Sequence, residues 1–157
     1  MLTLYRIVHR RYRTDPFSGM GGLYHNSRWA SQGQRVSYAA DHLALATLEK
    51  LAGVQRADLM AEMVYAKAVM APEHVTQLSA AERPDDWDAV PAPESTRAVG
   101  DAWLDRGDYA VLQVPSVVLP EGANYVINSE HPAAATLTVE TVAPLLLDNR
   151  VLARIGT

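Results

Sequence analysis

The sequence predicts an α+β fold, with a mixed, mostly antiparallel sheet and flanking helices. Three observations predict it. Segments with the two-residue alternation of strands lie toward both ends of the chain. Two segments with helical period and recognisable end signals lie between them. The strands do not alternate strictly with helices, as a parallel βαβ sheet would require. With 157 residues, 48% hydrophobic and 20% charged, the chain is expected to form a single domain over residues 1–157, with a real core.

The elements follow in order. Leu2 to Val8 alternates as a strand, with Leu2, Leu4 and Arg6 on one face. Residues Thr14 to Gly33 are rich in Gly, Ser, Asn and Pro and read as a loop; one this long inside a small domain is usually functional. Arg35 to Ala40 is a short strand. Asp41 to Ala52 is the clearest helix, with Asp41 as expected N-cap and Gly53 as the residue that ends it. Leu59 to Met70 reads as a strand, and Pro84 to Pro93, with three prolines and several acids, as an exposed loop. Ser95 is the expected cap of a helix running to Arg106 and closed by Gly107. Tyr109 to Val114 and Asn124 to Ile127 are short strands, and the β-branched run Thr136 to Val142 is a last long one.

Composition narrows the chemistry. The chain has no cysteine, which removes disulfides, thiolate catalysis and Cys-based zinc sites. Its five histidines, at positions 9, 25, 42, 74 and 131, show no metal-ligand spacing, so no metal is expected. No run approaches the roughly 18 apolar residues of a membrane span, and the first residues lack a signal-peptide core, so no membrane association and a cytoplasmic location are expected. The net charge of −4 argues against direct nucleic-acid binding. One basic cluster, Arg6, His9, Arg10, Arg11 and Arg13, reads either as a solvated strand end or as an anion or partner contact.

Chemistry-bearing residues concentrate between positions 21 and 51. At about 100° per residue, Ala44, Leu51, Leu48, Ala52 and Leu45 sweep one apolar arc of the helix, with Thr47 and Lys50 opposite. Glu49 falls about 40° past Leu45, at the arc's edge, where a carboxylate is partly desolvated and needs partners. The preceding loop holds Gly19-Met20-Gly21-Gly22, which lets backbone approach a ligand but lacks the spacing of known phosphate loops. Arg28 is a suitable phosphate ligand because its planar fork donates two bonds at once. Trp29 packs the loop on the core or stacks on a base; Tyr38 is a half-buried strand aromatic or a platform for a ring beside Glu49.

These residues together resemble the RES domain. Tyr5-Arg6, Gly21-Gly22-Leu23, Arg28-Trp29, Gly33, Val36-Ser37-Tyr38 and Ala44-Leu45-Ala46-Thr47-Leu48-Glu49 match it in order and spacing, as do Val114-Pro115-Ser116 and Asn124 to Pro132. The family takes its name from an Arg, a Glu and a Ser, which map here to Arg28, Glu49 and Ser116. Two departures are Ser27 and Ala30 around the Arg-Trp pair, and Ser129 where the family usually has proline.

The resemblance implies an ADP-ribosyltransferase-like fold and the toxin of a bacterial toxin–antitoxin pair, with an Xre-like helix-turn-helix antitoxin as partner. It also implies NAD⁺ as substrate, with ADP-ribose passed to a protein target, to water or to phosphate. A homodimer or a toxin–antitoxin hetero-oligomer fits the same pattern. Glu49, Arg28 and Tyr38 are the expected catalytic set. Arg6, Arg28, Tyr38, Ser116, Gly22 and His25 are the expected nucleotide-binding set, Ser116 either touching ribose or holding Glu49. The turn around His131 reads as structural, since Asn, Ser and Pro commonly build turns. Two readings from other classes stand beside this one: a ribonuclease toxin using Glu49, Arg28 and His25, and a non-catalytic nucleotide-binding module.

Overall fold

The computed structural model describes residues 1–155. Its strands are β1 (Leu2–His9), β2 (Val36–Ala40), β3 (Met63–Met70), β4 (Val75–Gln77), β5 (Val111–Pro115), β6 (Ala123–Asn128) and β7 (Thr138–Pro144). Its helices are α1 (Leu43–Gly53), α2 (Glu94–Arg106) and the single turn α3 (Asn149–Leu152). All seven strands form one sheet in the order β4-β5-β6-β2-β1-β3-β7. Every pairing is antiparallel except β4 with β5, so the architecture is the α+β class expected from the sequence.

The central strands are covered on both faces. Val111, Tyr125 and Ile127 join Leu4, Ala66, Ala68 and Met70 in one core cluster. Leu112, Val114 and Val126, one residue out of phase, join Trp29, Val36 and Trp103 on the other side, where α2 packs. A strand buried on both faces loses its polar alternation, which is why β5 and β6 read as nearly continuous apolar runs. A third cluster, Ile7, Ala40, Leu45 and Ala46, seats α1 on β1 and β2. Among the described residues no helix is long and apolar enough to cross a membrane.

Several element ends differ from the sequence expectation. His42, not Asp41, caps α1: its Nδ1 accepts the Ala44 N–H at 3.0 Å, while the Asp41 N–H donates to the Ala123 carbonyl. Gly53 is the last helical residue, and the chain passes into extended Val54 without a left-handed turn. α2 begins one residue before Ser95, directly after Pro93, and the Ser95 hydroxyl donates to Asp86 instead. Gly107 does close α2, at φ 65°. Residues 57–62 form a 3₁₀ turn with only Met60 buried, so β3 starts at Met63, where alternation begins. Likewise 132–136 is a 3₁₀ turn ahead of β7. β4 and α3, three and four residues long, are too short to carry a readable period.

The larger difference is the rotation of α1. Of the expected apolar arc only Leu45 is buried; Ala44, Leu48 and Ala52 are exposed. The helix presents Leu45, Ala46, Glu49 and Lys50 to the sheet, roughly a third of a turn away. The displaced Leu48 and Leu51 line an outer groove with Val118, Val151 and Ile155.

Candidate active site

The site begins with a defect in the sheet. β1 pairs with β3 along its whole length, from Leu2 opposite Met70 to His9 opposite Met63. With β2 it stays in register only at Tyr5 and Ala40. Beyond that pair the strands part, and Arg6 fills in for the missing ladder: its Nη1 donates to the Tyr38 carbonyl at 2.8 Å and its Nε to the Pro16 carbonyl at 2.7 Å. The gap opens into a cavity of about 240 Å³ lined by Tyr5, Arg6, Tyr38, Glu49, Lys50 and Asn124. Burial without a carboxylate partner lowers the Arg6 pKa to about 10, because the charged form is desolvated.

Glu49 closes this cavity from α1. Its Oε1 accepts two bonds, from Ser116 Oγ at 2.6 Å and from Asn124 Nδ2 at 2.7 Å. Charge-assisted bonds of this length hold a carboxylate in one rotamer. Oε2 has no partner among the described residues. Glu49 also lines a second cavity of about 320 Å³, with Arg28, Trp29, Tyr38, Val90, Val118 and Asn124. The two cavities thus meet at Glu49, Tyr38 and Asn124.

Ser116, expected either to touch ribose or to hold Glu49, is fully buried. Its hydroxyl donates to Glu49 and accepts the Leu119 N–H at 3.0 Å, so it is spent on the carboxylate and the following turn. Tyr38 stands between the cavities, its hydroxyl 2.6 Å from Ser27 Oγ and accepting the Trp29 N–H at 3.1 Å. Burial raises its phenol pKa, the Ser27 and Trp29 bonds opposing the shift only in part. Arg28 reaches its cavity held by two carbonyls of the 84–93 loop, Trp87 at 2.9 Å and Ala89 at 2.7 Å. Trp29 is core, 2% exposed, and its backbone lies against α2 at Gly100.

Two expected residues lie elsewhere. Gly22 packs tightly on the Gln34 carbonyl and lines neither Glu49 cavity; its missing Cβ serves the loop's own fold. His25 is exposed and lines a third cavity with Arg6, Tyr12, Asp15 and Tyr24, so it is not beside Glu49. His131 is structural as read: Nδ1 accepts the Ala133 N–H and Nε2 lies 3.0 Å from the Gly107 carbonyl. The sequence carries no signal that marks Asn124 or Lys50 as site residues. Asn124 lies in a block that matches the family without a chemical signal of its own, and the apolar arc puts Lys50 on the opposite face of the helix.

The RES domain profile matches residues 3–148. A protein named Toxin Res from Yersinia enterocolitica is 31% identical over 144 residues, covering 92% of this chain and 94% of the relative. A protein named Prs ADP-ribosylating toxin from a Sphingobium species is 32% identical over 147 residues, covering 91% of each. Among solved structures, a chain of the M. tuberculosis MbcT-MbcA toxin-antitoxin complex superposes with a TM-score of 0.74 at 15% identity, covering 98% of this chain and 87% of that one.

Proposed function

The chain belongs to the RES domain family, and from that premise we propose that it is the toxin of a toxin–antitoxin pair that cleaves the nicotinamide–ribose bond of NAD⁺ through Glu49. The observation that carries this reading is the state of the carboxylate: one oxygen is clamped by Ser116 and Asn124, and the other is free where two cavities meet. Arg6 and Arg28 stand on either side of it.

The chemistry asks for little more. As the C–N bond breaks, its electron pair passes to the ring nitrogen and the cationic pyridinium leaves as neutral nicotinamide. Unlike an alkoxide leaving group, it needs no general acid, so the second carboxylate of a glycosidase is dispensable. The free Oε2 of Glu49 accepts a hydrogen bond from the ribose 2′-hydroxyl and stabilises positive charge developing on the sugar. The ring of Tyr38, fixed by its Ser27 and Trp29 bonds, orients the nicotinamide. Arg28 and Arg6 hold phosphate oxygens. The sugar cation is then captured by water, by phosphate or by a side chain of a protein target, releasing a proton from water or from a protonated acceptor. The relative named as an ADP-ribosylating toxin favours a protein acceptor, and the neighbour solved as a toxin-antitoxin complex favours an antitoxin partner, of the Xre-like type the family resemblance implies.

His25 lines a different cavity from Glu49, which weighs against a ribonuclease built on Glu49, Arg28 and His25. The test is nicotinamide release from NAD⁺ by purified protein, wild type against Glu49→Ala, with folding checked by circular dichroism. Loss of release in the variant is expected; equal release from two folded proteins refutes the reading.

A further inference from the structure

The 84–93 loop, with three prolines and Asp85, Asp86 and Asp88, has the composition of an exposed loop, yet it supplies both carbonyls that hold Arg28. Both bonds, to Trp87 at 2.9 Å and to Ala89 at 2.7 Å, are donated by Nη1, which thereby spends its two hydrogens. Nε and Nη2 have no partner among the described residues, and that edge is a fork able to donate two parallel bonds to an anion. Among the described residues Arg28 forms no ion pair with any aspartate of the loop. Carbonyls fix a guanidinium without cancelling its charge, whereas a carboxylate would neutralise it.

The loop is tied down around these carbonyls. The Trp87 ring packs on the cluster of Trp29, Val36 and Trp103. Ser95 Oγ donates to Asp86 at 2.5 Å and Arg97 Nη1 to the Ala92 carbonyl at 3.2 Å, so both flanks are tethered to α2. A side chain already held in place loses less rotamer freedom when a ligand arrives.

We propose that the 84–93 loop is a positioning element for Arg28: its carbonyls, anchored by the Trp87 ring, hold Nη1 so that the Nε–Nη2 edge is presented to an anionic ligand. That the ligand is a nucleotide diphosphate rests on the function proposed above. Trp87 acts only through Arg28 and is a positioning residue.

A double-mutant cycle tests it. Wild type, Trp87→Leu, Arg28→Lys and the double variant, each checked for folding by circular dichroism, are titrated calorimetrically with ADP-ribose, with adenosine as a phosphate-free control. Arg28→Lys keeps the charge but has no fork to present. Trp87→Leu should weaken ADP-ribose binding by about five- to tenfold in the Arg28 protein, part of the strength of a hydrogen bond to a charged group. In the Arg28→Lys background it should cost nothing further, because the group it positions is gone. Adenosine affinity should not respond. In NAD⁺ turnover the Trp87→Leu defect should lie in KM, with kcat within about twofold of wild type. Ser95→Ala loosens the Asp86 tether and leaves the core ring in place; it should shift affinity the same way by a smaller factor, so the test stands even if Trp87→Leu fails to fold. Equal weakening in both backgrounds overturns the positioning role and assigns the effect to the fold at large or to Val90, which lines the same cavity. Unchanged affinity in both Trp87→Leu and Ser95→Ala overturns it as well. Wild type that binds no ADP-ribose overturns the nucleotide reading together with this one, whereas tight binding with additive losses sinks the positioning role alone.

Discussion

Replacing Ser116 with alanine isolates the clamp on Glu49. Ser116 is fully buried, so the change removes a hydroxyl that no substrate reaches. Two bonds go: the 2.6 Å bond to Glu49 Oε1 and the 3.0 Å bond from the Leu119 N–H. A hydrogen bond to a charged group contributes about 1.5–3 kcal/mol, which is about 10- to 150-fold in rate if all of it is expressed in the transition state. Asn124 still holds the same oxygen at 2.7 Å, so the lower end is expected, about tenfold in kcat. KM for NAD⁺ should hardly move, since the lost group contacts carboxylate and not substrate. Stability should fall by about 1 kcal/mol from the lost hydrogen bonds, because Leu119 is exposed and water can take its N–H. Ser116→Ala combined with Asn124→Ala should lose more than the product of the single effects, because each bond compensates for the other. Steady-state kinetics and thermal melts of the three variants decide it. A Ser116→Ala protein with unchanged kcat, or one whose whole defect is in KM, would refute the positioning role.

Three further outcomes follow from the packing around the loop that carries Arg28 and Trp29. Gly100→Ala would place a Cβ 1.5 Å from the Trp29 carbonyl oxygen, so α2 must shift off the loop; a loss of about 1–3 kcal/mol or more by denaturant titration is expected, and an undiminished midpoint would show that α2 is not seated as described. Tyr38→Phe keeps the ring but strands Ser27 and the Trp29 N–H, so it should destabilise the fold by about 1–2 kcal/mol while sparing KM. Because burial raises the folded-state pKa of Tyr38, the native state keeps a proton that the unfolded chain releases above about pH 10, and stability falls as pH rises past that point. Melting curves from pH 8 to 11 should therefore show a shallower alkaline loss for Tyr38→Phe than for wild type; parallel curves contradict it.

The strands were legible because alternation is a local property. β1, β2, β5 and β6 fell close to where their apolar residues predict, and the Arg, Glu and Ser of the family motif could be named before any geometry. The N-terminal caps of α1 and α2 lie one and two residues from where residue type puts them, since several neighbouring side chains can cap and only the packed chain selects one. Asp41 and Ser95 are good caps by type, yet His42 and the backbone after Pro93 hold those positions.

The sequence by itself determined the fold class and the family, and it singled out Glu49 as the candidate carboxylate, because each rests on residue type and spacing along the chain. Tertiary structure alone decided which face of α1 points inward. Leucine periodicity points to the Leu48 and Leu51 side, but the gap between β1 and β2 accepts Glu49 and Lys50 instead, and the leucines line an outer groove with α3. It also decided that Ser116 and Asn124, 67 and 75 residues from Glu49 along the chain, grip one carboxylate oxygen and leave the other free. Burial and convergence are long-range quantities: they depend on where strands part, and no local period records that.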